Sequence, residues 1–540
     1  MLTMNHLTTL LLALLTSIAS LAAQTTPFNL VLEPLTIPSL GGLQSYAFGE
    51  YGGKWLIIGG RLDGLHRRQP FASFDVAGHN NQLMVVDPKT LQQWTAPLSS
   101  LPAAMQEQLS ATNMAFFQEG ERLYLTGGYG YSPTLGDHTT YGALMAIDLP
   151  GAIQAVLSGA PLLPHMRQVT DLGFTVTGGR LGKLYDTYYL VGGQNFQGRY
   201  NPMGPTHGPG FFQEYTNSVR RFRLSDDGNT LTVKHLAPWV DAAQLHRRDF
   251  NVVPQIMPNG QEGLTAFSGV FQTAVDLPYL NCLNIDSAGY APQPTFQQYY
   301  NHYHSATLPL YDATTKEMHS VFFGGIAQFY DSLGTLVQDN NVPFVKTIAR
   351  VTRTPDGQMK EYKMPVGMPA YLGAGAEFIP AAGTPAYPNG VLKLDAIADQ
   401  SILGYIYGGI RSTAPNIFWV NDGTQSVAAT SVYRVRLLKK PSSGIHLLNP
   451  QSQSSLRVEV LPNPNAGRFE VRYQLQRDMP VTLRLRSLEG KTIEEVKWPN
   501  MQAGAHTYTV QALSTQQRGL FWLTVETPAE VVTRKVMIDP

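Results

Sequence analysis

The chain has 540 residues, of which 14% are charged, and its 39 basic and 39 acidic side chains leave a formal net charge of zero. So low and balanced a charge excludes a nucleic-acid surface as the main function. The 50 glycines and 37 prolines suit a turn-rich all-β protein, and a single cysteine, Cys282, excludes an intrachain disulfide.

Residues 1–23 read as a secretory signal peptide. Leu10 to Leu15 form its apolar core, and Ser20-Leu21-Ala22 offers small residues for cleavage, although Lys and Arg are missing before the core. No other run reaches the roughly 18 apolar residues that cross a bilayer, so no transmembrane segment is expected after signal removal. Residues 28–37 carry one isolated strand signal.

A short apolar run that stops on two glycines then begins to repeat. Trp55-Leu56-Ile57-Ile58-Gly59-Gly60 is the first copy, and later copies end at Gly128, Gly193, Gly325 and Gly409. A degenerate fourth copy ends Ser268-Gly269. Such β-branched and aromatic runs, too short for helices, predict buried strands. A regular array is the first inference from self-similarity at a coarse period. Paired glycines at a strand end permit positive φ and close backbone approach, which suits wedge-shaped units crowding a common axis. Each unit adds a preceding hairpin partner, a long polar loop after the glycines, and a third strand such as Gln82–Asp87 or Ser431–Leu437.

This pattern resembles the Kelch repeat over roughly residues 25–440. The resemblance implies an all-β fold, a six-bladed Kelch-like β-propeller spanning 24–440. It departs from the family at Ser268 and in the scarcity of the fourth-strand Trp. The sixth unit lacks a fourth strand, so residues 28–36 are expected to pair with the strand near 431–438 and leave no free edge.

Residues 441–455 are rich in Ser, Gln and Pro and read as a linker. Beyond them, alternating strands at Arg457–Leu461, Arg468–Leu475, Val481–Leu488, Thr507–Val510, Leu520–Glu526 and Val532–Ile538 predict a small immunoglobulin-like β-sandwich over 456–540. Its motifs are Pro462-Asn463-Pro464 with Gly467, then Gly490-Lys491, Gly504, Gly519 and Lys535. In that order they resemble the type A C-terminal sorting domain of the type IX secretion system of Bacteroidetes. The resemblance implies the type IX secretion machinery as a partner and export through the periplasm. The mature protein would be secreted or attached to the outer-membrane surface.

Candidate site residues fall in two sets. The long loops after the glycines contain Arg61, His66, Arg67, Arg68, Tyr129, His138, Gln194, His207, Arg411 and Trp419. Aromatic planes beside guanidinium and amide donors suit a glycan, peptide or protein ligand. The competing reading is that they pack the loops on one another. The segments leading into first strands add Asn113, Asp171, Glu377, His246-Arg247-Arg248-Asp249 and His302-Tyr303-His304. Arg247 or Arg248 could clamp an anionic or hydroxyl-rich ligand, or stitch neighbouring units through Asp249. His302 and His304 are two apart, which on a strand puts both imidazoles on one face. They are weak metal candidates, because no compact zinc or calcium motif accompanies them. No cofactor is predicted.

The leading reading is an exported, ligand-binding propeller. A carbohydrate-active enzyme, such as a sugar mutarotase-like Kelch protein, is the alternative. A metal-dependent oxidase, prompted by Cys282 and nearby tyrosines, is a third.

Overall fold

A computed structural model describes residues 27–67, 73–200, 211–332, 335–439, 456, 458–475, 477–487, 492–510, 519–527 and 531–539. The expected signal peptide and linker, together with Arg68, His207, Gly490 and Lys491, lie outside the described residues. The chain divides into two compact units, Met1–Lys439 and Lys440–Pro540.

Besides three two-stranded ribbons, the described residues of the first unit form six four- or five-stranded sheets, each with a four-stranded antiparallel core in one shared strand order, the fifth adding Leu392–Lys393 parallel to its first strand. Their first strands are Ala47–Tyr51, Ala115–Glu119, Arg180–Leu184, Asn251–Ile256, Thr307–Asp312 and Tyr371–Pro380. Their second strands are Lys54–Ile58, Arg122–Thr126, Thr187–Val191, Glu262–Phe267, Glu317–Phe323 and Ile402–Ser412. These include the apolar runs read from the sequence. Trp55, Leu56, Ile57 and Ile58 are all buried. Continuous rather than alternating apolarity follows when both faces of a sheet are covered. The interiors lie between neighbouring sheets, as where Ile58 and Leu83 of the first sheet pack with Leu125 and Met145 of the second.

The sixth sheet takes its fourth strand from the start of the chain. Asn29–Leu35 pairs antiparallel with Val432–Leu438, from Asn29 opposite Leu438 to Leu35 opposite Val432, as expected from the missing partner. Arg436 holds Glu33 with Nε 2.6 Å and Nη2 2.9 Å from the two carboxylate oxygens.

The paired glycines have a specific cause. The second glycine of each pair donates its N–H to a carbonyl in the segment leading into the next sheet. Gly60 bonds Ala111, Gly128 bonds Val176, Gly193 bonds Arg247, Gly269 bonds His302, Gly325 bonds Leu372 and Gly409 bonds Leu43, at 2.7–3.2 Å. A Cβ on the first glycine would run into that same carbonyl: 2.3 Å at Gly59, 1.8 Å at Gly127 and 2.1 Å at Gly324. The motif is therefore a sheet-to-sheet joint, not simply crowding at an axis. Ser268 occupies the degenerate position with φ 49°, and its hydroxyl bonds the Tyr279 carbonyl at 2.7 Å.

The lead-in segments also bond each other. Asn113 N–H donates to Ser45 C=O, Gly178 to Asn113, Asp249 to Gly178, His304 to Asp249, Gly375 to His304 and Ser45 to Gly375, at 2.8–3.2 Å. One residue from each sheet thus joins a closed cycle of six peptide hydrogen bonds. Five of the six have positive φ: Ser45, Asn113, Gly178, Asp249 and Gly375. Gly, Asn and Asp adopt that backbone most readily.

The sequence reading contained no helices. Among the described residues of the first unit two occur, Ala103–Leu109 and Leu149–Ser158. The second is capped by Asp148, which accepts from Gly151 N–H, and closes on left-handed Gly159. No helix among the described residues is long and apolar enough to cross a membrane.

The second unit has a three-stranded sheet (Glu459–Leu461, Phe469–Leu475, Gly504–Val510) and a four-stranded sheet (Thr492–Met501, Met479–Ser487, Gly519–Glu526, Val531–Ile538). Both contribute to one apolar core. Thr492–Met501 was not anticipated, because its Glu494-Glu495 and Lys497 obscure the apolar alternation. The Pro462-Asn463-Pro464 turn is pinned to the final strand. Asn463 donates to Lys535 C=O at 2.6 Å and accepts from Met537 N–H at 2.8 Å. Gly467 follows with φ 94° and donates its N–H to Asn465 Oδ1 at 2.9 Å.

Candidate functional site

The cycle of lead-in residues defines the centre of the first unit. Ser45, Tyr46, Asn113, Arg180, Asp249, Phe250, His304 and Glu377 surround a cleft there. His304 and Glu377 are 2.7 Å apart through Nε2 and Oε1. Arg180 reaches the same carboxylate at 3.3 Å and donates from Nε to Phe250 C=O at 3.1 Å.

Burial opposes charge on Glu377, but His304 and Arg180 outweigh it and hold the carboxyl below its ordinary value. Burial, helped by Arg180, pushes His304 down. The chemically consistent state is an ionised Glu377 accepting from a neutral imidazole, with Nδ1 left as a lone pair. Such a pair can orient a base. The open volume, about 10 Å³, has room for one water.

Of the sequence-derived residues, Asn113, Asp249, His304 and Glu377 converge here. Arg248 lies beside them. Its Nε donates to the Tyr215 hydroxyl at 3.0 Å, and it pairs with Asp249. Burial lowers its affinity for the proton, but Tyr215 and Asp249 reverse the sign and raise it.

The neighbours of these residues turn away. Arg247 is buried and donates to the carbonyls of Gln244, Ser268 and Asn281, while stacking over Tyr279 at 4.0 Å. Its guanidinium is an internal strut and not a ligand clamp. His246 stacks on Tyr215 with ring centres 3.7 Å apart and bonds Asn217.

The expectation that His302 and His304 share a strand face is corrected. The segment is irregular, with Asn301 at φ 53°, so strand alternation does not apply. His302 is fully buried, with Nε2 on Gln298 C=O at 2.8 Å and Nδ1 accepting from Gln328 N–H at 3.0 Å. Both nitrogens are engaged, and burial pushes its pKa down to about 4. Among the described residues no three His, Cys, Asp or Glu side chains gather as a metal site.

The remaining loop candidates pack on one another. Tyr129 is buried, donates its hydroxyl to Gly198 C=O at 2.7 Å, and sits against Phe74, Phe196 and His138. His138 bonds Phe74 C=O at 2.8 Å. His66 packs on Phe74 and Tyr200, and burial lowers it to about 4. Arg61 is buried, grips Asp63, and lies over Phe74. Gln194 is tied to Thr177 by backbone and to Gln213 by its amide. Asp171 lies apart, capping a turn and bonding His235 at 2.7 Å. Arg67, Arg411 and Trp419 are exposed.

Arg180 was missed. Its signal was the Gly178-Gly179 pair just before it, which marks a lead-in and not the end of a second strand. A wider opening, about 490 Å³, lies at the opposite end of the second and third sheets. Its charges already pair across the sheets: Arg122 and Arg167 on Asp226, and Lys183 on Glu119.

Residues 459–539 match the family model of the secretion system C-terminal sorting domain. The C-terminal part of this chain is therefore a sorting domain, and it indicates type IX secretion to the cell surface or the medium. The chain is also similar to the solved structure described as "Structure of YjhT", at 11% identity and a TM-score of 0.42, covering 73% of this chain and 96% of that one. No curated protein matches.

Proposed function

We propose that residues 24–440 are a six-bladed Kelch-like β-propeller and that it binds a partner on its loop-rich end after type IX export. The shared strand order of six sheets supports the propeller. So does the closed cycle of peptide bonds between their lead-ins. The antiparallel order puts all six post-glycine loops and all six lead-ins at the same end.

The observation that supports binding over catalysis is the narrowness of the centre. With room for about one water, a substrate-sized molecule meets loop surface and not an axial pocket. The second reading, a carbohydrate-active enzyme, rests on the His304–Glu377 pair with Arg180 beside it. The oxidase reading draws nothing from Cys282, which is buried with its sulfur 3.8 Å from that of Met359, its thiol pushed up to about 12.

The deciding experiment is a glycan and peptide array probed with the full chain, alongside anomeric-exchange assays on free sugars. Retention on either array, lost on loop substitution, supports binding. Sugar turnover abolished by His304→Ala with no array retention would instead establish the enzyme.

A further inference from the structure

We propose that Arg350 and His319 form a buried site for a small monovalent anion of the halide class, placed where the N-terminal segment closes on the fifth sheet. The site is separate from the loop end and independent of what binds there.

The first observation is a buried cation without an acceptor. Among the described residues four arginines are buried: Arg61, Arg247, Arg350 and Arg353. Three of them have acceptors. Arg61 grips Asp63, with Nε 2.8 Å from Oδ1. Arg247 donates to three carbonyls. Arg353 donates from Nη2 to Gln255 Oε1 at 3.0 Å and to Ile256 C=O at 2.9 Å. Arg350 is 2% exposed, yet its Nε and Nη1 have no hydrogen-bond partner. Among the described residues no Asp or Glu forms an ion pair with it. Its neighbours are aromatic, with the ring centres of Tyr362 and Phe28 at 5.0 and 5.5 Å from Cζ. Such rings attract a cation but bring no negative charge.

His319 provides the second observation. In the register of the fifth sheet Arg350 lies opposite Val321, and His319, two residues from Val321, lies opposite Thr352. All four side chains therefore share one sheet face. The His319 ring is fully buried and meets Phe28 edge-on at 5.3 Å. Its Nδ1 is 2.9 Å from Thr352 Oγ1, while Nε2 has no hydrogen-bond partner. Burial, with Arg350 adding to it, lowers His319 to about 3, so the imidazole is neutral. When the Thr352 hydroxyl donates to Nδ1, the proton sits on Nε2 and supplies a third donor beside the two of Arg350.

Charge selects an anion over water. Water can satisfy the donors but leaves the cation uncompensated, and a buried charge without a counter-ion is strongly destabilising. One anion answers both demands. The Glu317 carboxylate lies 3.8 Å from His319 Nε2, too far to accept its proton, and its side chain is 27% exposed. It acts on Arg350 only at longer range. Its charge repels a multiply charged ion more than a monovalent one, and the burial of the donors favours a small one. Phe28 immediately precedes Asn29–Leu35, so the ion fixes the start of the closing strand to the fifth sheet.

The test melts the full chain at constant ionic strength while sodium chloride or bromide replaces sodium gluconate. The melting temperature should rise by at least about 2 °C and saturate with halide. Arg350→Met removes the buried cation and should abolish that dependence. Glu317→Gln removes a repelling charge and should tighten halide binding about threefold or more. Crystals soaked in bromide should show an anomalous peak beside Arg350 Nε. A melting temperature indifferent to the anion, with water density at Arg350, overturns the proposal. A Glu317→Gln variant destabilised equally at every halide concentration, with no bromide peak, also overturns it, because Glu317 is then the counter-ion. The bromide peak and the Glu317→Gln titration decide the matter even where Arg350→Met does not fold.

Discussion

At the residue scale, a few buried polar side chains sit where a hydrophobic core would be simpler. Glu377 is the clearest, because Arg180 and His304 both depend on it. Replacing it with Ala leaves the half-buried Arg180 guanidinium without its counter-ion, which costs about 1–3 kcal/mol. Chemical denaturation should show that loss. Arg180→Ala made together with Glu377→Ala should cost less than the two changes summed, because the pair leaves as a unit. Additive losses would mean that the two side chains do not interact. The buried histidines set an acid limit. His302 and His79 are both depressed by burial to about 4 from the ordinary 6.5. A group with a lowered folded-state pKa takes up its proton first in the unfolded chain. Its stability contribution is therefore complete above about pH 6.5 and is lost as pH falls through about 4. The melting temperature should fall across that window. His302→Gln should flatten the slope, removing up to about 3 kcal/mol of pH dependence. A slope identical to that of the parent chain would show that His302 titrates normally.

The element scale is governed by how one sheet meets the next. Strand ends carry two glycines because the lead-in carbonyl of the next sheet occupies the space of a Cβ and needs an N–H donor. Gly127→Ala should therefore cost more than about 3 kcal/mol, combining a backbone penalty with a collision against Val176 C=O. Gly136 also has positive φ, but nothing lies within 4 Å of its Cβ position. Gly136→Ala should cost only about 1–2 kcal/mol. Equal melting temperatures for the two variants would refute the joint. The N-terminal strand is the other element on which closure depends. Removing residues 27–36 bares the edge of Val432–Leu438 and uncovers the core beneath Phe28 and Leu30. That truncated chain should lose cooperative unfolding or aggregate. A soluble variant with an unchanged transition would show that the strand is dispensable.

At the scale of the whole molecule, two compact units divide the work. The sorting domain directs export, and the larger unit is the one proposed to bind a partner. Truncation after residue 455 is expected to leave the first unit folded and held in the periplasm. Fractionation of the producing cells tests this, and delivery of the truncated chain to the surface or medium would sink it.

The sequence by itself determined the local features. Apolar runs and paired glycines located the second strand of every sheet. The missing sixth partner placed Asn29–Leu35 on Val432–Leu438. The ordered Pro-Asn-Pro, Gly and Lys motifs marked the sorting domain. These were legible because strand propensity, turn residues and repeat spacing are written in neighbouring positions. Only the tertiary structure decided which polar residues meet. Arg247 and Arg248 are adjacent in sequence, yet one is a strut among the carbonyls of connecting segments and the other lies beside the centre. His302 and His304 separate for the same reason: a left-handed residue at Asn301 breaks the alternation that a strand would impose. Arg180 and Glu377 are 197 residues apart and meet only because six lead-ins exchange peptide hydrogen bonds in a cycle. That cycle depends on backbone angles at Ser45, Asn113, Gly178, Asp249 and Gly375 whose consequences appear only once the sheets stand side by side.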